Sequence, residues 1–212
     1  MHEVDPRQTS RATAFELWMK APMPMVTLTK TIDVSHLLKL SRKHGLKFTM
    51  LMCWCVGKAA SQIDEFYLLP VGDKLMRFDK LAIRAVVATK DGSITTCNVP
   101  FYEDLQQFSN NYKTLTRQVR ESCRAYDPGK DYMMIGTSGL VQTQLDSVIN
   151  IYAGFYNNPF VIWSKHKKGL FKSTMAVSFQ FHHTQMDGGH GAIFLEKLQK
   201  EIKQLQIAKD FK

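Results

Sequence analysis

Two adjacent histidines, His182 and His183, are followed by Thr184-Gln185-Met186 and then by Asp187-Gly188-Gly189-His190. Histidine is the side chain whose proton affinity best suits proton transfer near neutral pH, so this stretch is where general acid–base chemistry is sought first. The residues leading into it, Val177-Ser178-Phe179-Gln180-Phe181, alternate apolar and polar and read as a strand. Alternation sends successive side chains to opposite faces, so the two histidines cannot share one task. Asp187 stands four residues after His183, beyond the strand end, where a carboxylate can pair with a cation and hold the turn. Gly188 and Gly189 permit backbone angles closed to other residues. Two other readings stand beside this one. The pair can be structural or on the surface, and His182, His183, Asp187 and His190 are together a conceivable metal ligand set. Opposite faces argue against the metal, because ligands must converge on one point.

The elements that must position these residues follow from periodicity. Residues 5–20 read as an opening segment with a short helix, stopped before Pro22. Met25 to Val34 alternates and is rich in β-branched residues, as a strand should be. Ser35 is placed to cap a helix carrying Leu37, Leu38 and Leu40 and closed by Gly45. Phe48 to Ile63 is apolar on most faces and long enough for a buried helix. Leu81 to Thr89 and Ser93 to Val99 read as a hairpin around Asp91-Gly92. Tyr102 to Tyr126 reads as a helix striped by Leu105, Phe108, Leu115 and Val119, ended by Asp127-Pro128-Gly129. Val148 to Tyr156 and Phe160 to Trp163 read as strands split by Asn157-Asn158-Pro159. Met175 to Phe181 is the strand that enters the histidines. Gly188 to Leu205 is an amphipathic helix with Ile193, Phe194, Leu195, Leu198, Ile202 and Leu205 on its apolar side. Helices dominate early, strands later, and a helix comes last. That order gives an α+β fold, a two-layer sandwich with a mixed β-sheet, rather than a doubly wound nucleotide fold.

Composition narrows the function. The 212 residues, 44% apolar and 22% charged, suit a single domain over 1–212 with one sizeable core. The net charge of +9 is compatible with an anionic partner. The basic residues are scattered apart from Lys165 to Lys168, and no RNP, zinc-finger or basic-zipper pattern appears, so no nucleic acid is expected. There is no G-x-x-x-x-G-K-[ST], which excludes P-loop chemistry, and no G-x-G-x-x-G. The longest apolar run, residues 50–56, is far short of the roughly 20 residues a bilayer needs, so no membrane is expected. Cys53, Cys55, Cys97 and Cys123 contain no C-x-x-C, and no leader pattern opens the chain. Reduced cysteines in a cytoplasmic protein are the expectation.

The pattern His-His-x-x-x-Asp-Gly after an alternating apolar strand, with an amphipathic helix beginning at once, resembles the signature of the chloramphenicol acetyltransferases. A varied form occurs in dihydrolipoyl acyltransferase catalytic domains and in peptide-synthetase condensation domains. The short chain without a lipoyl segment favours the first group. Asp5 to Trp18 is also similar to that family's opening, where an arginine precedes a helix, and Lys47-Phe48 and Asp64-Glu65-Phe66 fit its pattern. The motif with His182 and His183 is the specific part of a likeness that covers nearly the whole chain.

That resemblance implies an acetyl-CoA-dependent O-acetyltransferase acting on a small hydroxyl acceptor, with acetyl-CoA as co-substrate and no metal. It implies His183 as the catalytic base, Asp187 as a catalytic-site carboxylate paired with Arg11, and a serine hydroxyl stabilising the oxyanion. It also implies a homotrimer with active sites between subunits. The serine's place, counted back from Pro159 without gaps, is Leu145. A two-residue shift gives Ser147, which is favoured over Thr143 and Gln144. Trp18 falls near the positions that shape the family's acceptor pocket, although ordinary core packing is an equal reading of it.

Overall fold

The computed structural model describes residues 1–208 and residue 211; residues 209, 210 and 212, at the end of the expected 1–212 domain, lie outside the described residues. In chain order, β1 is His2–Val4, and the 3-10 turn Pro6–Gln8 leads to α1, Ala12–Trp18. Then come β2 (Met25–Asp33), α2 (Ser35–His44) and α3 (Phe48–Ala60). A second 3-10 turn, Asp64–Tyr67, precedes β3 (Leu68–Val71), β4 (Lys74–Arg77), β5 (Lys80–Ala88) and β6 (Ile94–Pro100). The rest is α4 (Leu105–Ser122), β7 (Tyr132–Leu140), β8 (Phe160–Ser164), β9 (Lys167–Lys168), β10 (Ser173–His182) and α5 (Gly188–Gln204).

The main sheet has the order β2-β10-β8-β7-β5-β6, with β9 paired to the start of β10. β7 runs parallel to both β5 and β8, while β10 is antiparallel to β2 and β8. The sheet is therefore mixed and the fold α+β. β1, β4 and β3 make a small separate sheet.

Alternation decides which face meets the helices. Val177, Phe179 and Phe181 of β10 are buried with Phe66 and Phe194, and the rings of Phe179 and Phe194 are 4.4 Å apart. α3 is enclosed along most of its length, as expected from a helix with few polar residues on any side. α5 lies so close to the sheet that a Cβ on Gly191 would stand 2.7 Å from the Phe181 ring and 2.8 Å from Leu28. Glycine at that position sets the distance between the helix and the strand that ends in the histidines. The opposite face of β10 is polar. Ser178 Oγ is 3.0 Å from Thr29 Oγ1, and Gln180 donates to Thr27 Oγ1.

Three sequence expectations change. Residues 148–156 form no strand. Their apolar alternation is real, but Ile149, Ile151 and Phe155 point to solvent, and the place beside β8 is taken by β7, which periodicity had not singled out. Residues 141–159 instead cross the polar face of β10, with the Val148 N–H donating to Ser178 Oγ and Gln180 Nε2 to the Asn150 carbonyl. The helix expected over 102–126 is shorter, because the Asp104 carboxylate accepts the Gln107 N–H and starts it there. Finally, the carboxylate of Asp33, not Ser35, accepts the first-turn N–H of α2.

Candidate active site

β10 ends at His182, and α5 begins at Gly188, so the intervening turn 183–187 is held by rigid elements at both ends. Asp187 is the N-cap of α5. Its Oδ1 accepts the N–H groups of Gly189 at 3.0 Å and His190 at 3.3 Å. These bonds satisfy helix donors that would otherwise lack partners, which is why Asp followed by Gly-Gly starts a helix here.

His182 and His183 part ways as strand alternation requires. His182 is buried, and its Nδ1 accepts the Thr184 N–H at 3.1 Å, which folds the turn back on itself. Burial, with a smaller contribution from the neighbouring His183, pushes the His182 imidazole down to about 4, so it is neutral at physiological pH. His183 is half-buried and fixed through its backbone: its N–H donates to the Pro24 carbonyl at 2.7 Å, and its carbonyl accepts from Arg11 at 2.8 Å. The Trp18 indole lies flat against its ring, with centroids 4.9 Å apart and planes within 6°. Nδ1 of His183 is enclosed without a hydrogen-bond partner among the described residues. Nε2 is thus the ring nitrogen through which a proton can arrive or leave.

Arg11 ties the turn to the start of the chain. Its side chain is 4% exposed. Nε donates to the Thr184 carbonyl at 3.1 Å, one terminal nitrogen to the His183 carbonyl, and the other to Asp187 Oδ2 at 3.1 Å. Burial works against the charge on Asp187, but hydrogen bonds from the His190 backbone and from Arg11 outweigh it and keep the carboxyl below its ordinary range. The carboxylate thus stays charged, caps the helix with one oxygen and binds the guanidinium with the other.

Of the residues singled out in the sequence, His183, Asp187, Arg11 and Trp18 come together within the one chain. Ser147 does not join them. It is exposed, on the segment lying over Ser178, and His183 comes five positions after Ser178, just past the end of β10, roughly 16 Å away at the usual rise. Thr143 and Gln144 are exposed on the same segment, and Leu145 is half-buried there.

Two contributors were not read from the sequence in the roles they occupy. His190 lies with Nδ1 2.9 Å from Asp187 Oδ1 and Nε2 3.2 Å from Glu65 Oε1. Glu65 enters from the 3-10 turn Asp64–Tyr67, also accepts the Ser10 hydroxyl, and offers its backbone carbonyl to Gln185. Lone acidic residues are plentiful, and nothing in the spacing of Glu65 and His190 marks them as neighbours. Among the described residues no group of three or more His, Cys, Asp or Glu side chains is placed to hold a metal ion. Cys53 and Cys55 sit deep in the core, and burial pushes the Cys53 thiol up to about 12. No helix among the described residues is long and apolar enough to cross a membrane.

Known proteins resemble this chain over most of its length. A family model described as chloramphenicol acetyltransferase matches residues 1–199. Chloramphenicol acetyltransferase 3 of Escherichia coli is 26% identical over 182 residues, covering 82% of this chain and 84% of that protein. Chloramphenicol acetyltransferase 2 of Escherichia coli is 24% identical over 200 residues, covering 92% and 94%. A solved chloramphenicol acetyltransferase superposes with a TM-score of 0.82 at 18% identity, covering 95% of this chain and 99% of that one.

Proposed function

The chain belongs to the chloramphenicol acetyltransferase family, a family of acyltransferases, and from that premise we propose that it moves the acetyl group of acetyl-CoA to a hydroxyl of chloramphenicol or a similar xenobiotic. The observation that carries this reading is the state of His183. Its backbone N–H and carbonyl are both bonded, its ring is stacked on Trp18, and one ring nitrogen is enclosed. A ring so held presents Nε2 in one orientation, which a general base requires.

The reaction needs such a base because a neutral hydroxyl is a poor nucleophile. Nε2 of His183 takes the hydroxyl proton as the oxygen attacks the thioester carbonyl. The tetrahedral oxyanion collapses, the carbon–sulfur bond breaks, and the departing thiolate takes the proton back from the imidazolium. General-base catalysis supplies on the order of a hundred- to ten-thousand-fold. A donor to the oxyanion adds about 3 to 4 kcal/mol, and holding both substrates in one complex supplies much of the rest. Asp187 and Arg11 take no proton in this scheme; they keep the turn rigid. Trp18 is a wall of the acceptor site as well as the face on which His183 rests.

A homotrimer belongs to the same proposal. Ile149 is 76%, Ile151 81% and Phe155 86% exposed, with Leu140 and Val141 exposed nearby. Apolar surface concentrated on one segment marks an interaction site. On this reading a neighbouring subunit covers it, and the Ser147 segment meets the His183 of that neighbour rather than its own.

A second reading, a trimer that binds CoA or an apolar ligand without turnover, is favoured by one observation: Ser147, the favoured serine, is exposed and remote from His183 within one chain. Thiol release from acetyl-CoA, followed with and without chloramphenicol, separates the two. Chloramphenicol-dependent release that disappears in His183→Ala supports transfer. CoA binding with no release for any hydroxyl acceptor supports the second reading.

A further inference from the structure

Arg11 and Asp187 hold the turn from one side. The geometry points to a second hold: we propose that Glu65 and His190 form a positioning pair for the general base, acting through Asp187, an inference that rests on the acyl-transfer reading above.

The contacts form one connected chain. Asp187 Oδ1 faces His190 Nδ1 at 2.9 Å, and His190 Nε2 faces Glu65 Oε1 at 3.2 Å. Glu65 Oε1 also accepts the Ser10 hydroxyl at 3.0 Å, and the Glu65 backbone carbonyl accepts Gln185 Nε2 at 3.2 Å. The Asp187 backbone N–H also donates to His190 Nδ1 at 3.4 Å, so the ring is tied to Asp187 through both its carboxylate and its backbone. Glu65 touches three separate pieces of the site: the residue before Arg11, the turn after His183, and the first turn of α5. Its side chain is 12% exposed, so its contacts are shielded from water far more than those of a surface ion pair.

The arrangement does what Arg11 alone does not. Arg11 fixes the two carbonyls and one oxygen of Asp187. The other oxygen, which caps the helix, is located by His190, and His190 is located by Glu65. Without Glu65 the α5 N-terminus and the segment bearing Arg11 lose their common anchor, and the turn gains freedom at His183.

Two substitutions cut this link with little change in shape. Glu65→Ala removes the carboxylate. In His190→Asn the side-chain amide takes the place of the Nδ1 edge and keeps a contact with Asp187, while the arm to Glu65 is lost. Each should lower kcat about tenfold to a hundredfold, since displacements near 1 Å at a reacting group have effects of that size, and leave KM for acetyl-CoA within twofold. Glu65→Gln, which still accepts from Ser10 and His190, should recover most of the loss. An activity-independent measurement accompanies these: nitrogen-15 correlation spectra of the histidine rings, recorded on folded protein below its thermal midpoint. The His183 ring signals should move or broaden in Glu65→Ala and His190→Asn and return in Glu65→Gln. Unchanged His183 signals in both of the first two variants would overturn the pair. Failure of the wild type to turn over any acceptor would overturn the acyl-transfer reading, and the ring spectra would still decide the pair.

Discussion

Replacing Arg11 by methionine removes a guanidinium and leaves a side chain of similar length in its place. The ion pair with Asp187 is the obvious loss, but the numbers place most of the cost elsewhere. The Asp187 side chain is 44% exposed, so water can rehydrate its carboxylate, and the Coulombic part is worth about 1 kcal/mol or less. The carbonyls of His183 and Thr184 are in a different position. Each accepts a charge-assisted bond from a group that is 4% exposed, and a buried acceptor left without a partner costs about 1 to 3 kcal/mol. The expected destabilisation is thus about 3 to 5 kcal/mol for Arg11→Met but about 1 kcal/mol for Asp187→Asn, which keeps an oxygen for the helix cap. Urea unfolding at one fixed protomer concentration, monitored by circular dichroism, measures both. With a slope of about 2 to 3 kcal/mol/M, the Arg11→Met midpoint should fall by about 1 to 2 M and the Asp187→Asn midpoint by less than about 0.5 M. Equal shifts would refute the reasoning, because they would make the charge pair, not the carbonyls, the main interaction.

His183→Ala should abolish transfer while the circular dichroism spectrum stays native; His182→Ala should disturb stability first, and equal activity loss from a folded His182→Ala protein would contradict the separation of roles. Stability should fall as pH drops from 6.5 to 4, because the unfolded chain takes a proton on His182 in that window and the folded chain does not. The stabilisation is complete above pH 6.5 and amounts to about 3 kcal/mol at most, so a thermal midpoint that is flat across the window would count against a neutral buried ring. Gly191→Ala should cost about 1 to 3 kcal/mol, since its methyl group would press on Phe181 and Leu28, and a thermal melt within a degree of wild type would show that the contact yields. Light scattering should give three protomers per particle, and Phe155→Ser should weaken that assembly; a wild-type monomer would remove the shared site from the proposal.

How much of this could be read from the sequence depended on the range of the interaction. Helices with one consistent apolar side were legible, as with α5, because their pattern persists over several turns. β10 was legible because Phe179 and Phe181 alternate with Ser178 and Gln180. β7 was not, since Gly136, Thr137, Ser138 and Gly139 blur the alternation and it is held by two parallel neighbours far away in sequence. Residues 148–156 erred the other way: Ile149, Ile151 and Phe155 look like a strand face but find no strand to pair with. In the site, His183 and Asp187 were visible because they are close in sequence, and Arg11 came through family likeness. Glu65 was not, because its meeting with His190 depends on how a 3-10 turn and a helix end happen to pack.

The distribution of groups within the protomer bears on why assembly belongs to the functional proposal. Everything that orients the base is internal to one chain, from the Pro24 carbonyl to Arg11, and needs no neighbour. The proposed oxyanion donor is different: the segment carrying Thr143, Gln144 and Ser147 lies over β10 well away from His183, and the same segment exposes Ile149, Ile151 and Phe155. Exposed apolar surface and a displaced hydroxyl on one stretch have a common resolution, in which a subunit contact buries the first and delivers the second. A rigid base can then await its partner without reorganising, since burial of the apolar residues drives assembly while the polar group it carries completes the chemistry. On this view Phe155→Ser should reduce kcat in step with the fraction of trimer, and activity retained by a dissociated protomer would separate the two functions of the segment.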